Sequence, residues 1–321
     1  MITFTGDVYL PKPINIDFEL DNDIIVNLEF PITCDLSTPA EGKVNLSAPI
    51  NYLNKVFLGR VIAANLANNH ILDFQEPGFL STIESLKKNN IPYFGAGTIA
   101  DNFNNPFYVE KNNNKILVYG YCDKSTHPAN TDVIKVADLN LELIKKDLDL
   151  YDSSYFKIVC LHWGAEENPY PSNEEIKTAR RIIDFGADAV IGHHAHVIQG
   201  HEKYNGKDIF FNLGNFCFED LKLPSGWNGV TYTNIYNKKQ SSKNKEGLIL
   251  DLSSELKFTY RKIFKDSDNI VLSRNKRLPK FNLPYAHKFY NNLTRIRIMT
   301  VRFVKNPRIP SFYQIKRFLG L

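Results

Sequence analysis

Seven short apolar runs constrain this chain more than any other feature: Ile2–Thr5, Ile24–Leu28, Val61–Ala64, Ile116–Tyr121, Phe156–Leu161, Ala189–Ile191 and Ile209–Leu213. Several are too short and too rich in Val and Ile to be anything but strands buried on both faces. Between them, Pro77–Asn89 and Leu139–Leu150 carry helical patterns. Ser172 followed by Glu175 makes a capping box that starts a further helix, which runs to about Phe185 and ends at Gly186. Strand and helix alternating in this way predict an α/β domain. After Gly229 the rhythm changes: Asn237–Glu246 reads as a polar loop, and Gly247–Leu252 with Leu256–Ile263 as a late hairpin.

Polar residues recur at the carboxyl ends of these strands. Asp7 follows the first, Glu29 the second, Asn69 and His70 the third, His162 the fifth, and His194 with His196 the sixth. In open α/β sheets the ligand crevice lies outside the carboxyl ends, so residues far apart in sequence converge there. Each has a plainer use taken singly: a turn residue, a solvated charge, a packed histidine. Five of the eight histidines fall between His162 and His201, and two imidazoles one residue apart at a strand end reach two neighbouring ions. Two carboxylates, an amide and three imidazoles make a mixed oxygen and nitrogen site suited to Mn, Fe or Zn.

A length of 321 residues supports one large domain or two smaller ones. The cysteines, Cys34, Cys122, Cys160 and Cys217, are scattered, which favours reduced thiols over disulfides or a zinc cluster. No run approaches the roughly 20 apolar residues of a membrane span, and the amino-terminal residues lack the pattern of a secretory leader. A cytoplasmic protein is therefore expected. The net charge of +4 hides an asymmetry: residues 261–321 hold 15 Lys plus Arg against Asp266 and Asp268, while residues 1–260 hold 24 basic and 33 acidic residues. The expected division is a body over 1–265 and a basic extension over 266–321.

Taken together, F-T-G-D ending at Asp7, N-L-E ending at Glu29, A-N-N-H-I-L-D at 67–73, H-W-G-A-E at 162–166, G-H-H-A-H at 192–196 and L-G-N-F at 213–216 resemble the bacterial capsule synthesis family known as CapA or PgsA, implicated in poly-γ-glutamate and capsule biosynthesis. That family is similar in turn to the calcineurin-like metallophosphoesterases. The resemblance covers roughly residues 2–255 and implies a four-layer α/β/β/α sandwich. It implies one or two divalent ions, with Glu29, Asn69, His162 and His194 on one and Asp7, Glu29 and His196 on the other. His70 matches the histidine that assists the leaving group. Asp73 is placed to orient His70 through its other nitrogen. Glu166 is placed for a contact to a ligand or to substrate. There is one departure: the superfamily's first motif has histidine two residues after the aspartate, and here that residue is Tyr9. A phenol is a poor ligand at neutral pH, so the shell on the Asp7 side is thinner.

Hydrolysis of a phosphoester or of a polymer amide bond fits these parts, with His70 protonating the leaving atom. A polymer assembly or export component that binds metal without turnover is the rival reading, favoured by the thin shell. Asn215 is open between a strand-end cap and a site hydrogen bond. In the tail, Arg295, Arg297, Arg302, Lys305, Arg308, Lys316 and Arg317 interleave with apolar residues. That mixture suits an anionic membrane surface, or equally helices packed on the acidic body. No recognised module accompanies the charge to argue for nucleic acid.

Overall fold

The computed structural model describes residues 1–100, 103–124, 131–281, 287–293 and 296. Two compact units divide the chain, Met1–Phe281 and Asn282–Leu321. In the second, residues 287–293 are helical.

The first unit holds two large sheets. One runs in the order Asn15–Ile16, Asn269–Leu272, Phe258–Asp266, Glu246–Leu252, Ile2–Val8, Asp23–Leu28, Val61–Asn65, Tyr93–Phe94, with Asn215–Cys217 lying along the carboxyl half of Ile2–Val8. The other runs His201–Tyr204, Lys207–Phe210, Ala189–His193, Tyr155–His162, Asn114–Cys122, Phe107–Lys111. Both have parallel centres, Ile2–Val8 with Asp23–Leu28 and Val61–Asn65 in one, Asn114–Cys122 with Tyr155–His162 and Ala189–His193 in the other. Four helices accompany them among the described residues: α1 Ile50–Phe57, α2 Gln75–Lys88, α3 Leu141–Asp149 and α4 Asn173–Asp184.

Alternation along each strand assigns the layers. Phe4, Ile25, Ala63, Val118, Ile158, Cys160 and Ile191 form the core between the sheets. Ile24, Val26 and Ala64, on the opposite face, pack with Leu53 and Phe57 of α1 and Phe79, Ile83 and Leu86 of α2. Leu117, Tyr119, Val159 and Val190 of the second sheet pack with Ile144 and Leu148 of α3 and Ile182 of α4. Successive side chains of a strand feed opposite faces, so the architecture is α/β/β/α, as the resemblance implies.

The capping box at α4 is present in both directions, Ser172 to Glu175 and back. The late hairpin forms as Glu246–Leu252 with Phe258–Asp266. The first unit extends past the expected boundary at residue 265: Asn269–Leu272 pairs with Phe258–Asp266 and with Asn15–Ile16, and the unit closes at Phe281.

Candidate metal centre

Register delivers the site. In the parallel ladder Asp7 is flanked by Asn27 on one side and Asn215 on the other, and His162 faces His193. Gly6 permits this closeness, since a Cβ there would stand 2.1 Å from Gly214 O. Past Ala189–His193 the chain turns sharply: His194 and His196 adopt φ of 90° and 56°. A non-glycine residue in that region costs about 1–3 kcal/mol, and such strain gathers at functional sites. His193 points elsewhere, its Nε2 lying 3.1 Å from Thr5 O. His201 pairs with Asp208 at 2.7 Å in the following hairpin.

Asp7, Glu29 and His162 are fully buried, and His194 and His196 nearly so. Two groups of ligand atoms each converge within 4.8 Å: Glu29, His162 and His194, and Asp7, Glu29 and His196. Asn69 completes the first, its Oδ1 2.9 Å from His162 Nε2. That same Nε2 lies 3.0 Å from His194 Nδ1 and 3.7 Å from Glu29 Oε1. One proton satisfies one such pair and leaves the other lone pairs facing each other, whereas a cation takes all of them. Tetrahedral donors at ordinary bond lengths sit roughly 3.4 Å apart, close to this spacing. Both carboxylate oxygens of Glu29 are buried without a hydrogen-bond partner. The donor set therefore fits a divalent ion.

Electrostatics agree. Burial, then the neighbouring His194, pushes His162 well below the usual imidazole range, and burial brings His194 down to about 4. Both are neutral at pH 7, the form that ligates. Burial and the charge of Asp7 push Glu29 well above the usual carboxylate range. Burial opposes a charge on His196, yet Glu29 and Asp7 outweigh it and raise that imidazole to about 10. Two buried carboxylates thus draw in a positive charge, and a metal ion answers the same demand.

The remaining expected residues fall around this cluster. His70 Nδ1 lies 2.6 Å from Asp73 Oδ2, so Asp73 orients the imidazole. Glu166 is half-exposed and 3.6 Å from Lys238 Nζ, and its charge is felt at Glu29. Tyr9 is turned into an aromatic cluster, 5.8 Å from Phe30 and 5.2 Å from Phe218 between ring centres. Asn215 makes the site hydrogen bond, its Oδ1 2.9 Å from His196 Nδ1, while its Nδ2 donates to Asn244 O. This leaves His196 Nε2 facing Glu29 at 3.6 Å. Sequence reasoning missed Asn27, which donates to Asp7 Oδ1 at 2.8 Å, and Asn244, which donates to His196 O at 3.2 Å. It also missed Lys43 and Lys238. For Asn27 the signal was available, since a polar residue in an otherwise apolar strand two positions before Glu29 is unusual.

Residues 2–220 match the model of a family described as bacterial capsule synthesis protein PGA_cap, and the chain belongs to that family. It is 30% identical over 195 residues to the capsule biosynthesis protein CapA of Bacillus anthracis, covering 59% of this chain and 46% of that protein. It is 33% identical over 173 residues to the PGA biosynthesis protein CapA of Bacillus subtilis, covering 51% and 43%. A probable polyglutamine synthesis accessory protein of Mycobacterium tuberculosis is 25% identical over 211 residues, covering 60% of this chain and 54% of that one. The chain thus spans about half the length of the relatives it matches. A 5'-nucleotidase precursor of Thermus thermophilus superposes with a TM-score of 0.42 at 14% identity over 93% of this chain and 59% of its own. At that distance the layering above, and not the superposition, defines the fold.

Proposed function

We propose that the protein is a metal-dependent hydrolase of capsule or poly-γ-glutamate assembly, cutting a phosphoester or a polymer amide bond. The observation that carries this reading is Glu29: both its oxygens are buried without a hydrogen-bond partner, in the midst of His162, His194, His196 and Asp7. Such a carboxylate either takes up a proton or is matched by positive charge, and the converging imidazole nitrogens and Asn69 Oδ1 supply the further donors that a cation, unlike a proton, would use. Glu29, Asn69, His162 and His194 hold one ion, and Asp7, Glu29 and His196 a second, with Mn, Fe or Zn suiting the donors. When bound, such an ion offsets charge building on the scissile group and makes water acidic enough to attack at neutral pH. His70 is placed to protonate the leaving atom through Nε2, since Asp73 holds Nδ1. Glu166, half-exposed and paired with Lys238, is the acidic group we assign to a substrate contact.

The test is metal analysis of the purified chain, then a screen with Mn, Fe or Zn against generic phosphoesters, sugar and nucleoside phosphates, and poly-γ-glutamate. Turnover that needs the metal is expected. A metal-bound protein without turnover on any of these substrates moves the protein to the second reading, a metal-binding component of polymer assembly or export. Tyr9, an aromatic core residue where a ligand would complete the Asp7 side, favours that alternative.

The place of work we propose is the inner face of the membrane, reached from the cytoplasm. Among the described residues no helix is long and apolar enough to cross a membrane. The basic residues that suggest the membrane surface, Arg295, Arg297, Arg302, Lys305, Arg308, Lys316 and Arg317, lie outside the described residues, so the support is the sequence pattern alone. Each basic residue near an anionic leaflet contributes about 1 kcal/mol. The full chain is expected to sediment with anionic vesicles at low salt and release at high salt. A chain ending at Phe281 is expected to stay in solution, and equal binding by the two would remove the tail from this role.

A further inference from the structure

We infer that Lys43 is a positioning residue of this site, holding in one grip the loop that presents Asn69 and the Asp73–His70 pair. Its Nζ donates to Asn69 O at 2.6 Å and forms an ion pair with Asp73. Asp73 is fully buried and has three partners: Lys43, the His70 ring at 2.6 Å, and the backbone N–H of Leu46, which donates at 2.6 Å. A buried carboxylate with this environment needs a compensating cation, and Lys43 supplies it from a partly exposed position. One ammonium therefore fixes the peptide next to a metal-ligand amide and the carboxylate that aims the imidazole.

The lysine is itself built in. Its segment is sewn to a two-stranded ribbon, Leu221–Trp227 paired with Tyr232–Lys238. Val44 bridges Ser225, Gly42 N–H donates to Trp227 O, and Gly226 N–H donates to Lys43 O. The base of the same ribbon ends at Lys238, which pairs with Glu167 at 3.0 Å and Glu166 at 3.6 Å in the loop after His162. The ribbon thus links the two sequence segments that wall the metal cluster, and Lys43 is its contact with the proton-donor side.

The role of His70 as proton donor rests on the proposed function, whereas the grip on its ring does not, and the experiment separates the two. With the full chain labelled at histidine nitrogen, the ring signals of His70 report which nitrogen carries the proton, with and without added Zn²⁺. The wild type is expected to show protonated Nδ1, fixed by Asp73. Lys43→Met is expected to shift or broaden those signals in both states, Lys43→Arg to restore most of the wild-type pattern, and Asp73→Asn to make the further change Lys43→Met silent at His70. Zn²⁺ affinity in Lys43→Met is expected to fall roughly 10-fold or more, as when a partner of a metal ligand is lost. Wild-type His70 signals in a folded Lys43→Met protein overturn the inference, whether or not Zn²⁺ binds. Failure of the wild type to bind Zn²⁺, Mn²⁺ or Fe²⁺ strikes the metal reading alone and leaves the His70 comparison standing.

Discussion

The two halves of the candidate metal centre share Glu29 and a strand-end origin, yet they are built to different standards. On one side Asn69, His162 and His194 crowd Glu29 with donor separations of 2.9 and 3.0 Å about a single ring nitrogen. On the other, Asp7 and His196 are 3.2 Å apart, and one oxygen of Asp7 is already taken by Asn27. Where that side would recruit another ligand, Tyr9 turns away to pack on Phe30 and Phe218. The same architecture therefore yields a four-donor half and a three-donor half, and the difference rests on one residue's choice between chemistry and packing.

The largest expected effect comes from the shared residue. Glu29→Gln keeps the shape but removes the only carboxylate common to both halves, so metal content measured on the purified protein is expected to fall to background. His194→Ala is expected to empty the four-donor half, while Asp7→Ala removes only the weaker ion. A full metal complement in both Glu29→Gln and His194→Ala would sink the assignment of the cluster. Asp7→Ala emptying both positions would erase the distinction between the halves.

The next effect is kinetic and concerns the proton rather than the ion. His70→Ala is expected to keep both ions and lose roughly 10²–10⁴-fold in rate on the best substrate, the usual general-acid contribution. If rate is unchanged, another group supplies the proton and His70 only braces the Asn69 loop.

How far these features could be read from sequence follows from how locally each is encoded. Strands such as Ile116–Tyr121 and Phe156–Leu161 declare themselves because burial on both faces leaves almost no polar residue in them. The α4 boundary is legible because Ser172 and Glu175 act within one turn of each other. In contrast, α1 begins at Pro49 without a side-chain cap and lasts eight residues, so no local signal marks it. The edge strand Phe107–Lys111 is only partly covered, and the ribbon from Leu221 to Lys238 owes its form to pairing across Gly226. Asp7, Glu29, Asn69, His162, His194 and His196, which the structure brings together, could be picked out because each lies at a strand end or in the loop just after it, where topology decides the destination. Lys43 and Asn244 were not, because they lie in polar loops without period, and only tertiary pairing carries them to the site. Between these cases lies Asn215, legible as special but not as the partner of His196 until its register beside Asp7 is known.

The smallest expected effect probes Tyr9 itself. Tyr9→His offers the Asp7 half an imidazole where the wider superfamily resemblance has one. The exchange trades a buried phenol in contact with two aromatic rings for a smaller polar ring, so stability without metal is expected to drop by about 1–3 kcal/mol. Thermal or denaturant unfolding in chelator measures that loss. Affinity for the second ion is expected to rise about tenfold, seen by calorimetric titration with Mn²⁺ as a second binding step that moves tighter while the first stays put. A folded Tyr9→His protein whose second step does not move would show that the missing ligand is not what weakens this half. The hydrogen bonds that already occupy Asp7, from Asn27 to Oδ1 and from the His194 N–H to Oδ2, would then be the cause, and Asn27→Ala would be the substitution expected to tighten it by freeing the first.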